Sequence, residues 1–314
     1  MKVLRSIPEL AEVAAPVVLA IGVFDGLHLG HRAVLSRAQQ EAARIGARAV
    51  PLSFEPHPAR VLRPEHPPLL LTETGHKLRL LAAMGFDQAL LLSFDSSLRN
   101  TTAEAFVTSL AAAARPLAAV CVGHQWSFGR GREGNLALLA RLGAQLRFEE
   151  IGVPEVEWAG EPVSSTRIRN AIAVGNLNLA SQMLGRSYTV LGKVAHGRAL
   201  GRTLGFPTAN LSLLSEQLPP QGVYAVRAKV LGEHGKDLCL LGVANLGTRP
   251  TLDASEKRPL LEVHLFDFDG DLYGEFLEVE FVCSLRGELR FESLALLKEQ
   301  IKRDAELARR RLTH

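Results

Sequence analysis

The feature that most constrains this 314-residue chain is a change of hydrophobic period near Gly185. Before that point, short apolar runs alternate with helical patterns, the runs at 16–22, 47–54, 88–94 and 118–123 and the helices near 74–84 and 103–114. After it, apolar residues recur at every second position in 224–230 and 277–281, with turn residues between the runs. The first pattern is typical of βαβ units and the second of half-buried antiparallel strands.

The sequence therefore predicts two domains, 1–183 and 184–314. The first is expected to be an α/β domain with an open parallel sheet that helices cover on both faces. The second is expected to be a small antiparallel β-barrel, because closing the sheet removes exposed edges. A final helix follows, with an apolar stripe that begins at Leu294 and ends at Leu312.

Composition and charge narrow the classes of function. Hydrophobic residues make up 47% and charged residues 22% of the chain, as in a soluble globular protein. A net charge of +3 is too small to indicate a nucleic-acid partner. The three cysteines form no CxxC pair, which argues against a disulfide framework or a zinc site. Cys121 and Cys239 lie in apolar runs and are expected to be buried.

The sequence also argues against a membrane partner. No segment reaches the roughly 18 uncharged apolar residues of a membrane span. The first 16 residues carry two glutamates and two prolines, whereas a secretory signal would have an unbroken apolar stretch. We therefore expect a cytoplasmic protein. Weak association into a homo-oligomer is left as an alternative to a monomer.

Residues 22–31, GVFDGLHLGH, follow the first apolar run and enter a helix. Ligands of open α/β sheets bind at the carboxyl ends of strands, and helix N-termini bind phosphate. His28 and His31 can face one phosphate there. The segment predicts nucleotidyl transfer, which needs positioning and charge stabilisation but no protein nucleophile. A turn with two exposed histidines and a zinc-binding pair are the alternatives.

Two further segments of the first domain carry polar groups. Residues 164–169, SSTRIR, open a predicted helix, where hydroxyls, N–H groups and arginines could hold a nucleotide's phosphates. A plain capping motif with surface arginines is the alternative. Residues 53–58, SFEPHP, indicate a rigid loop after the second strand, in which His57 either binds a ligand or has a structural role.

The second domain lacks the GxxxxGK[ST] motif, so a kinase there would not be of the Walker type. Residues 192–205 are rich in glycine, lysine and arginine, and either wrap phosphates or form a flexible basic loop. In FPTAN, 206–210, Thr208 and Asn210 point to the same side of an extended segment. Both supply oxygen ligands that suit magnesium, and a simple turn is the alternative.

Together these motifs resemble those of the prokaryotic bifunctional riboflavin kinase/FMN adenylyltransferase family. Further phrases of the resemblance are PQGVY at 220–224, NLGTRPT at 245–251 and the stretch that begins at Glu262. The resemblance covers about 19–308. It implies a Rossmann-like nucleotidyltransferase domain followed by a six-stranded riboflavin kinase barrel with a C-terminal helix. The implied activity is ATP-dependent conversion of riboflavin to FMN and of FMN to FAD. Its partners would be riboflavin, FMN and ATP, and its cofactor Mg²⁺.

The resemblance also implies residue roles. The catalytic residues would be His28 and His31 in adenylyl transfer and Glu262 as the general base of the kinase. In the first domain, the ATP-binding residues would be Gly22, Phe24, Asp25, Gly30, Ser164, Ser165, Thr166, Arg167 and Arg169. The flavin-binding residues there would be Phe54, Pro56, His57, Pro58 and Trp126. In the kinase domain, the ATP-binding residues would be Gly192, Lys193, His196, Gly197, Gly201 and Pro207. The magnesium ligands would be Thr208 and Asn210.

One stretch departs from the family pattern. Residues 122–129, VGHQWSFG, carry Gln125, Trp126 and Ser127 where the family usually has an acidic residue, Phe and Arg. Trp126 could still stack on a flavin ring. A chain in which only the kinase half is active is therefore one alternative. A non-catalytic flavin-sensing protein is another, and the mild charge disfavours an RNA-binding protein. For Glu262, the alternative to a base is a surface ion pair.

Overall fold

A computed structural model describes residues 1–196, 205–231, 238–249 and 258–313 of the chain. They form two compact units. The first contains 1–69 and 74–165, and the second contains 70–73 and the described residues from Thr166 onward. The division thus falls at the start of one helix, whereas the predicted boundary at 183/184 stays a prediction.

The first unit is built on a six-stranded sheet of order β1-β4-β3-β2-β5-β6, in which all neighbouring strands are parallel. The strands are β1 Lys2–Leu4, β2 Val17–Ile21, β3 Arg48–Glu55, β4 Gln88–Ser93, β5 Leu117–Gly123 and β6 Glu149–Val153. The helices are α1 Leu29–Ile45, α2 Pro58–Leu62, α3 Thr74–Ala83, α4 Ser96–Asn100, α5 Ala103–Ala113 and α6 Leu136–Leu146. Short 3-10 helices lie at Ile7–Glu12 and Arg130–Arg132, and β7 Glu157–Trp158 pairs with β8 Glu161–Pro162.

The parallel sheet follows from its apolar strands. All five residues of β2 are buried, as expected of a strand that is covered on both faces. On one face α1 contributes Leu35, Ala38 and Ala42 to a hydrophobic cluster, and on the other α5 and α6 contribute to a second cluster. The predicted α/β class is therefore confirmed.

The second unit contains a closed antiparallel barrel of order β10-β13-β12-β11-β14-β9. Its strands are β9 Thr189–Ala195, β10 Ala209–Leu213, β11 Gly222–Leu231, β12 Leu238–Arg249, β13 Arg258–Leu265 and β14 Phe276–Arg286. Its helices are α7 Ser165–Ala173, which starts on the last residue of the first unit, α8 Leu177–Leu184 and α9 Leu294–Leu312. The predicted six-stranded barrel with a terminal helix is confirmed.

The terminal helix packs on the barrel with its C-terminal half. Ala305, Ala308 and Leu312 join one cluster with barrel residues such as Val223 and Ala225. Leu294 is 61% exposed, so the apolar stripe is buried only in part. A helical pattern shows which residues share a face, but not where the surface that covers this face ends.

The cysteine prediction holds for one residue of two. Cys121 is buried in β5, and burial raises the pKa of its thiol to about 12. Cys239 is exposed, contrary to expectation, because it lies at the beginning of β12, where Leu238 is exposed as well. Within the described ranges, no helix is both long and apolar enough to cross a membrane.

Candidate active sites

The first candidate site is the turn at 22–31, which joins the carboxyl end of β2 to α1. Its backbone has positive φ at Phe24 (54°), Gly26 (83°) and Leu27 (42°), a conformation that costs energy for residues with a side chain. Phe24 is buried and packs in the core below the turn. A Cβ at Gly22 would lie 2.6 Å from the Phe24 ring, so this position has room only for glycine.

His28 and His31 come together at the beginning of α1. Their rings stack with centroids 3.6 Å apart, and Nδ1 of the N-cap residue His28 accepts a long bond of 3.4 Å from the His31 amide. With Nδ1 as the acceptor, neutral His28 carries its proton on Nε2. Among the described residues, Nδ1 of His31 is buried without a hydrogen-bond partner. Burial, then His28 and Lys77, hold the pKa of His31 well below its usual value.

Lys77 is a buried ammonium below this turn that the sequence did not reveal. The residue is 5% exposed, and its Nζ donates to the Val23 carbonyl at 3.2 Å and to Ser53 Oγ at 3.1 Å. Ser53 Oγ in turn donates to the Val23 carbonyl at 2.8 Å. Two side chains, those of Lys77 and Ser53, thus donate to the Val23 carbonyl, which precedes the strained turn. A single lysine in the helical pattern of α3 carries no sequence signal for this role.

The predicted SSTRIR segment begins beside the same turn. Ser165 Oγ donates to the Asp25 carbonyl at 3.0 Å, and Asp25 itself is buried. A Cβ at Gly30 would lie 3.2 Å from the His28 ring and 3.8 Å from the Val163 carbonyl. The structure therefore brings Ser165, the first residue of α7, to the turn that carries the histidines. Ser164 directly precedes α7, while Thr166, Arg167 and Arg169 follow on α7 in the second unit.

Four of the five predicted flavin-binding residues lie at the end of β3 and just beyond it. The Phe54 ring packs edge-to-face on Phe94, with centroids 5.8 Å apart. Pro56 follows a cis peptide bond, and Pro58 is the first residue of α2. His57 is the N-cap of α2, and its Nδ1 accepts a bond of 3.1 Å from the Ala59 amide. One nitrogen of His57 therefore has a structural role, as the alternative interpretation expected.

The stretch that departs from the family pattern has its own contacts. Trp126 stacks on Phe128 at a centroid distance of 4.2 Å and is half-buried against the core. Ser127 Oγ accepts a bond of 2.8 Å from Nε of Arg132. The guanidinium of Arg132 thus lies against Ser127, the position at which the family usually has an arginine.

Two cavities among the described residues of the second unit are relevant to the predicted kinase site. The first, of about 690 Å³, is lined by barrel residues such as Val194, Pro207 and Leu265 and by the loop at 268–273. The second, of about 720 Å³, lies between the barrel and α9 and is lined by Glu262, Asn245 and Ile301 among others. Thr208 lines both cavities. It is held there because the preceding carbonyl, of Pro207, is 2.8 Å from Nδ1 of His264.

Barrel register places three polar residues side by side. Glu262 on β13 is paired with Asn210 on β10 and with Asn245 on β12. Directly opposite residues of antiparallel strands project to the same face of the sheet. A row of side chains with oxygen atoms that can bind a metal ion or accept a proton therefore crosses three strands. Asn245 was quoted within a motif but had no predicted role, because only register brings it next to Glu262.

The structure describes some of the remaining residues that were predicted to bind ATP in the kinase domain. Gly192 and Lys193 lie in β9, and the Lys193 ammonium is 5.8 Å from the Phe276 ring centroid. His196 stacks on Tyr273, with centroids 3.9 Å apart, and Tyr273 lines the first cavity. Gly197 and Gly201 lie outside the described residues.

Comparison with known proteins gives two family matches that follow one another. The FAD synthetase family model matches residues 10–167 and the riboflavin kinase family model matches 184–312. Over 98% of this chain and 97% of the relative, the sequence is 40% identical to the bifunctional riboflavin kinase/FMN adenylyltransferase of Escherichia coli K12. It is 37% identical to that of Pseudomonas fluorescens, over 98% of this chain and 97% of the relative.

A solved structure is similar to this chain over nearly its full length. It is a crystal structure described as a macrolide-efflux protein from Streptococcus pneumoniae, with a TM-score of 0.83 and 31% identity. The match covers 98% of each chain, so it includes both units.

Proposed function

The chain belongs to the bifunctional riboflavin kinase/FMN adenylyltransferase family, and from this premise we propose how its residues divide the two reactions. The chain is an enzyme of flavin cofactor biosynthesis. Its second unit phosphorylates riboflavin to FMN with ATP, and its first unit adenylylates FMN to FAD. The observation that carries the division is that each unit has its own polar site at a position suited to phosphate chemistry.

Adenylyl transfer is assigned to the turn at 22–31. An oxygen of the FMN phosphate attacks the α-phosphorus of ATP, the bond from the α-phosphorus to the bridging oxygen breaks, and pyrophosphate leaves. Negative charge develops on the phosphate oxygens, and N–H donors that are already in place stabilise it. Nε2–H of His28 and the imidazole of His31 are such donors. Because His31 is held neutral, it donates one N–H and keeps its other nitrogen as an acceptor.

The surrounding residues would hold the nucleotide. Backbone of the turn, from Gly22 to Gly30 and including Phe24 and Asp25, approaches the phosphates. Ser164 and Ser165 would supply hydroxyls and N–H groups at the start of α7, where the helix dipole favours anions, and Thr166 stays a predicted ATP-binding residue. Arg167 and Arg169 stay predicted ligands of the β- and γ-phosphates, because guanidinium groups bind phosphate in bidentate geometry.

The flavin of FMN is assigned to the loop after β3 and to Trp126. Phe54 and the two prolines, Pro56 and Pro58, form a rigid apolar edge beside His57. The indole of Trp126 stacks on Phe128 with one face, and we assign the opposite face to the isoalloxazine ring.

The kinase reaction is assigned to the junction of the two barrel cavities. The first cavity, with Pro207 and the stacked pair His196 and Tyr273 beside it, would hold ATP, and the second would hold riboflavin. Thr208, which lines both, marks where the γ-phosphate and the ribityl hydroxyl meet. Glu262 accepts the proton of the 5′-hydroxyl as its oxygen attacks the γ-phosphorus and ADP leaves. Gly192, Lys193, Gly197 and Gly201 stay predicted phosphate ligands.

The donors at this junction fit a magnesium ion. The Thr208 hydroxyl and the Asn210 amide oxygen are hard oxygen donors, and register places Asn210 beside the Glu262 carboxylate. When bound together with ATP, magnesium would offset charge on the β- and γ-phosphates. Thr208 and Asn210 would hold it through oxygen atoms. Riboflavin, FMN and ATP are thus the proposed partners, and the cytoplasmic location and weak self-association stay predictions.

The test is to incubate the purified chain with riboflavin, ATP and magnesium and to follow the flavins by chromatography. We expect FMN to appear first and then to convert to FAD, with pyrophosphate released in the second step. Accumulation of FMN without FAD would mean that only the kinase half is active. The altered stretch at 125–127 would then be the first candidate for the lost adenylylation. If folded protein leaves both riboflavin and added FMN unchanged, the enzyme proposal fails.

A further inference from the structure

We propose that the ion pair between Arg286 and the buried Asp304 is a positioning element for the riboflavin cavity of the kinase. The inference rests on the proposed function, because it takes the second cavity as the flavin site. Both residues line that cavity, Arg286 at the end of β14 and Asp304 in the middle of α9. The pair would keep the wall of the cavity in its binding geometry without contributing to phosphoryl transfer.

The pair has the geometry of a strong interaction. Nε of Arg286 lies 3.1 and 3.0 Å from the two Asp304 oxygens, and Nη2 lies 2.8 Å from Oδ2. Gln300 Nε2 donates to Asp304 Oδ1 at 2.8 Å. The side chains are 19% and 7% exposed, so little solvent screens the charges. Two parallel N–H···O bonds fix orientation as well as distance, so the last strand and the helix are locked together.

The same guanidinium also holds the loop between strand and helix. Nη1 of Arg286 donates to the Gly287 carbonyl at 2.9 Å, and the guanidinium lies 5.8 Å from the ring centroid of Phe291. Leu289 and Phe291 of this loop line the cavity. Asp304 therefore orients Arg286, and Arg286 orients the loop. Loss of either charge would free three walls of one cavity: strand end, loop and helix.

A second pair in the same unit shows what is special about the first. Arg309 of α9 binds Asp267 with Nη–Oδ distances of 2.7 and 2.9 Å, so it too ties the helix to the barrel side of the unit. Those side chains are 49% and 78% exposed, and the cavity lining contains neither of them. This second pair is therefore a control: it involves the same helix, but neither of its residues lines the cavity.

The experiment compares Asp304→Asn with Asp267→Asn in the full chain, by steady-state riboflavin kinase assays at saturating ATP and at saturating riboflavin. For Asp304→Asn we expect the KM for riboflavin to rise about tenfold, because removing one partner of a buried pair leaves the other charge unpaired. The KM for ATP and the FMN adenylylation rate should change less than about twofold, as should every parameter of Asp267→Asn, whose pair is exposed.

A double variant, Arg286→Met/Asp304→Leu, separates positioning from stability. Replacing a buried pair by apolar residues of similar volume often preserves the fold. We expect this variant to melt near the parent temperature but to keep the raised riboflavin KM, since the bond to the Gly287 carbonyl is gone. The double variant also replaces Asp304→Asn as the test if the single variant does not fold.

Two outcomes would overturn the inference: equal riboflavin KM values for Asp304→Asn and Asp267→Asn, or a parental KM in the double variant. Both require that the parent chain makes FMN from riboflavin. If the parent itself makes none, the proposed function fails, and that result is distinct from failure of the positioning role.

Discussion

The site of the first unit takes both histidines from one turn, whereas the site of the second is assembled from strands and a helix that are distant in the chain. His28 and His31 are three residues apart, and His28 caps α1 by accepting from the His31 amide. Thr208, Asn245, Glu262 and Asp304 come from the segment before β10, from β12, from β13 and from α9. The first site therefore depends on turn geometry, and the second on barrel register.

This difference has a physical consequence for each site. A slip of one residue in the pairing of β13 would move Glu262 to the opposite face of the sheet, away from Asn210 and Asn245. A disturbance of the first site would instead come from its strained turn, which Lys77 and Ser53 hold at the Val23 carbonyl. Because the sites have separate supports, a substitution should affect one activity at a time.

The largest effect that would test this separation is expected from Glu262→Gln. Loss of a general base should lower the kinase kcat by about 10²–10⁴-fold. The rate of FMN adenylylation should not change. Separate assays of the two half-reactions check this. Glu280→Gln is the matched control, since Glu280 is a barrel carboxylate paired with Arg227 at 3.0 Å, and it should keep both activities. Equal loss of both activities in Glu262→Gln would contradict the separation.

The reciprocal variant is His28→Asn. Asparagine is a good N-cap, so α1 should keep its start while the imidazole N–H is lost. FMN adenylylation should fall by about 10²–10³-fold, the usual cost of one donor to a developing charge. Riboflavin phosphorylation by the same preparation is the control for folding. An adenylylation rate within a few-fold of the parent would remove His28 from the mechanism.

The two sites also differ in how far the sequence revealed them. The HxGH turn and the strand before it were predicted because glycines, histidines and an apolar run lie together. Strands β2 to β5 were predicted to within about two residues, since each is a dense apolar run. β1 has only three residues and β6 carries two glutamates, so neither gave a clear pattern. The order of the strands was not predicted either.

Buried charges were the least visible feature of the sequence. Lys77 and Asp304 occur in helices with apolar stripes, where a polar residue ordinarily faces solvent. Only the folded chain brings Ser53 to Lys77 and Arg286 to Asp304. The sequence could predict the elements and the motifs, but not the partners that make a buried charge tolerable.

A smaller effect is expected at the flavin side of the first site. Trp126→Ala should raise the KM for FMN by about 2- to 10-fold, the range that corresponds to one aromatic stacking contact. Trp126→Phe should stay near the parent, because a ring is retained. The measurement is adenylylation rate against FMN concentration, and the riboflavin KM of the kinase is the control. An unchanged FMN KM in Trp126→Ala would place the flavin ring elsewhere.

The smallest effect concerns the stability of the first unit against pH. A histidine whose pKa is lowered on folding binds a proton more readily in the unfolded chain, so stability is lost as the pH falls below the ordinary value of about 6.5. His31→Gln removes this contribution and should flatten the decline in melting temperature between about pH 7.5 and 5.5, by a few degrees at most. Thermal unfolding at both pH values measures it. His66→Gln changes an exposed histidine of the same unit and should keep the parental slope. If His31→Gln keeps that slope as well, the His31 imidazole is not held neutral by its surroundings, and its role as a neutral donor fails with it.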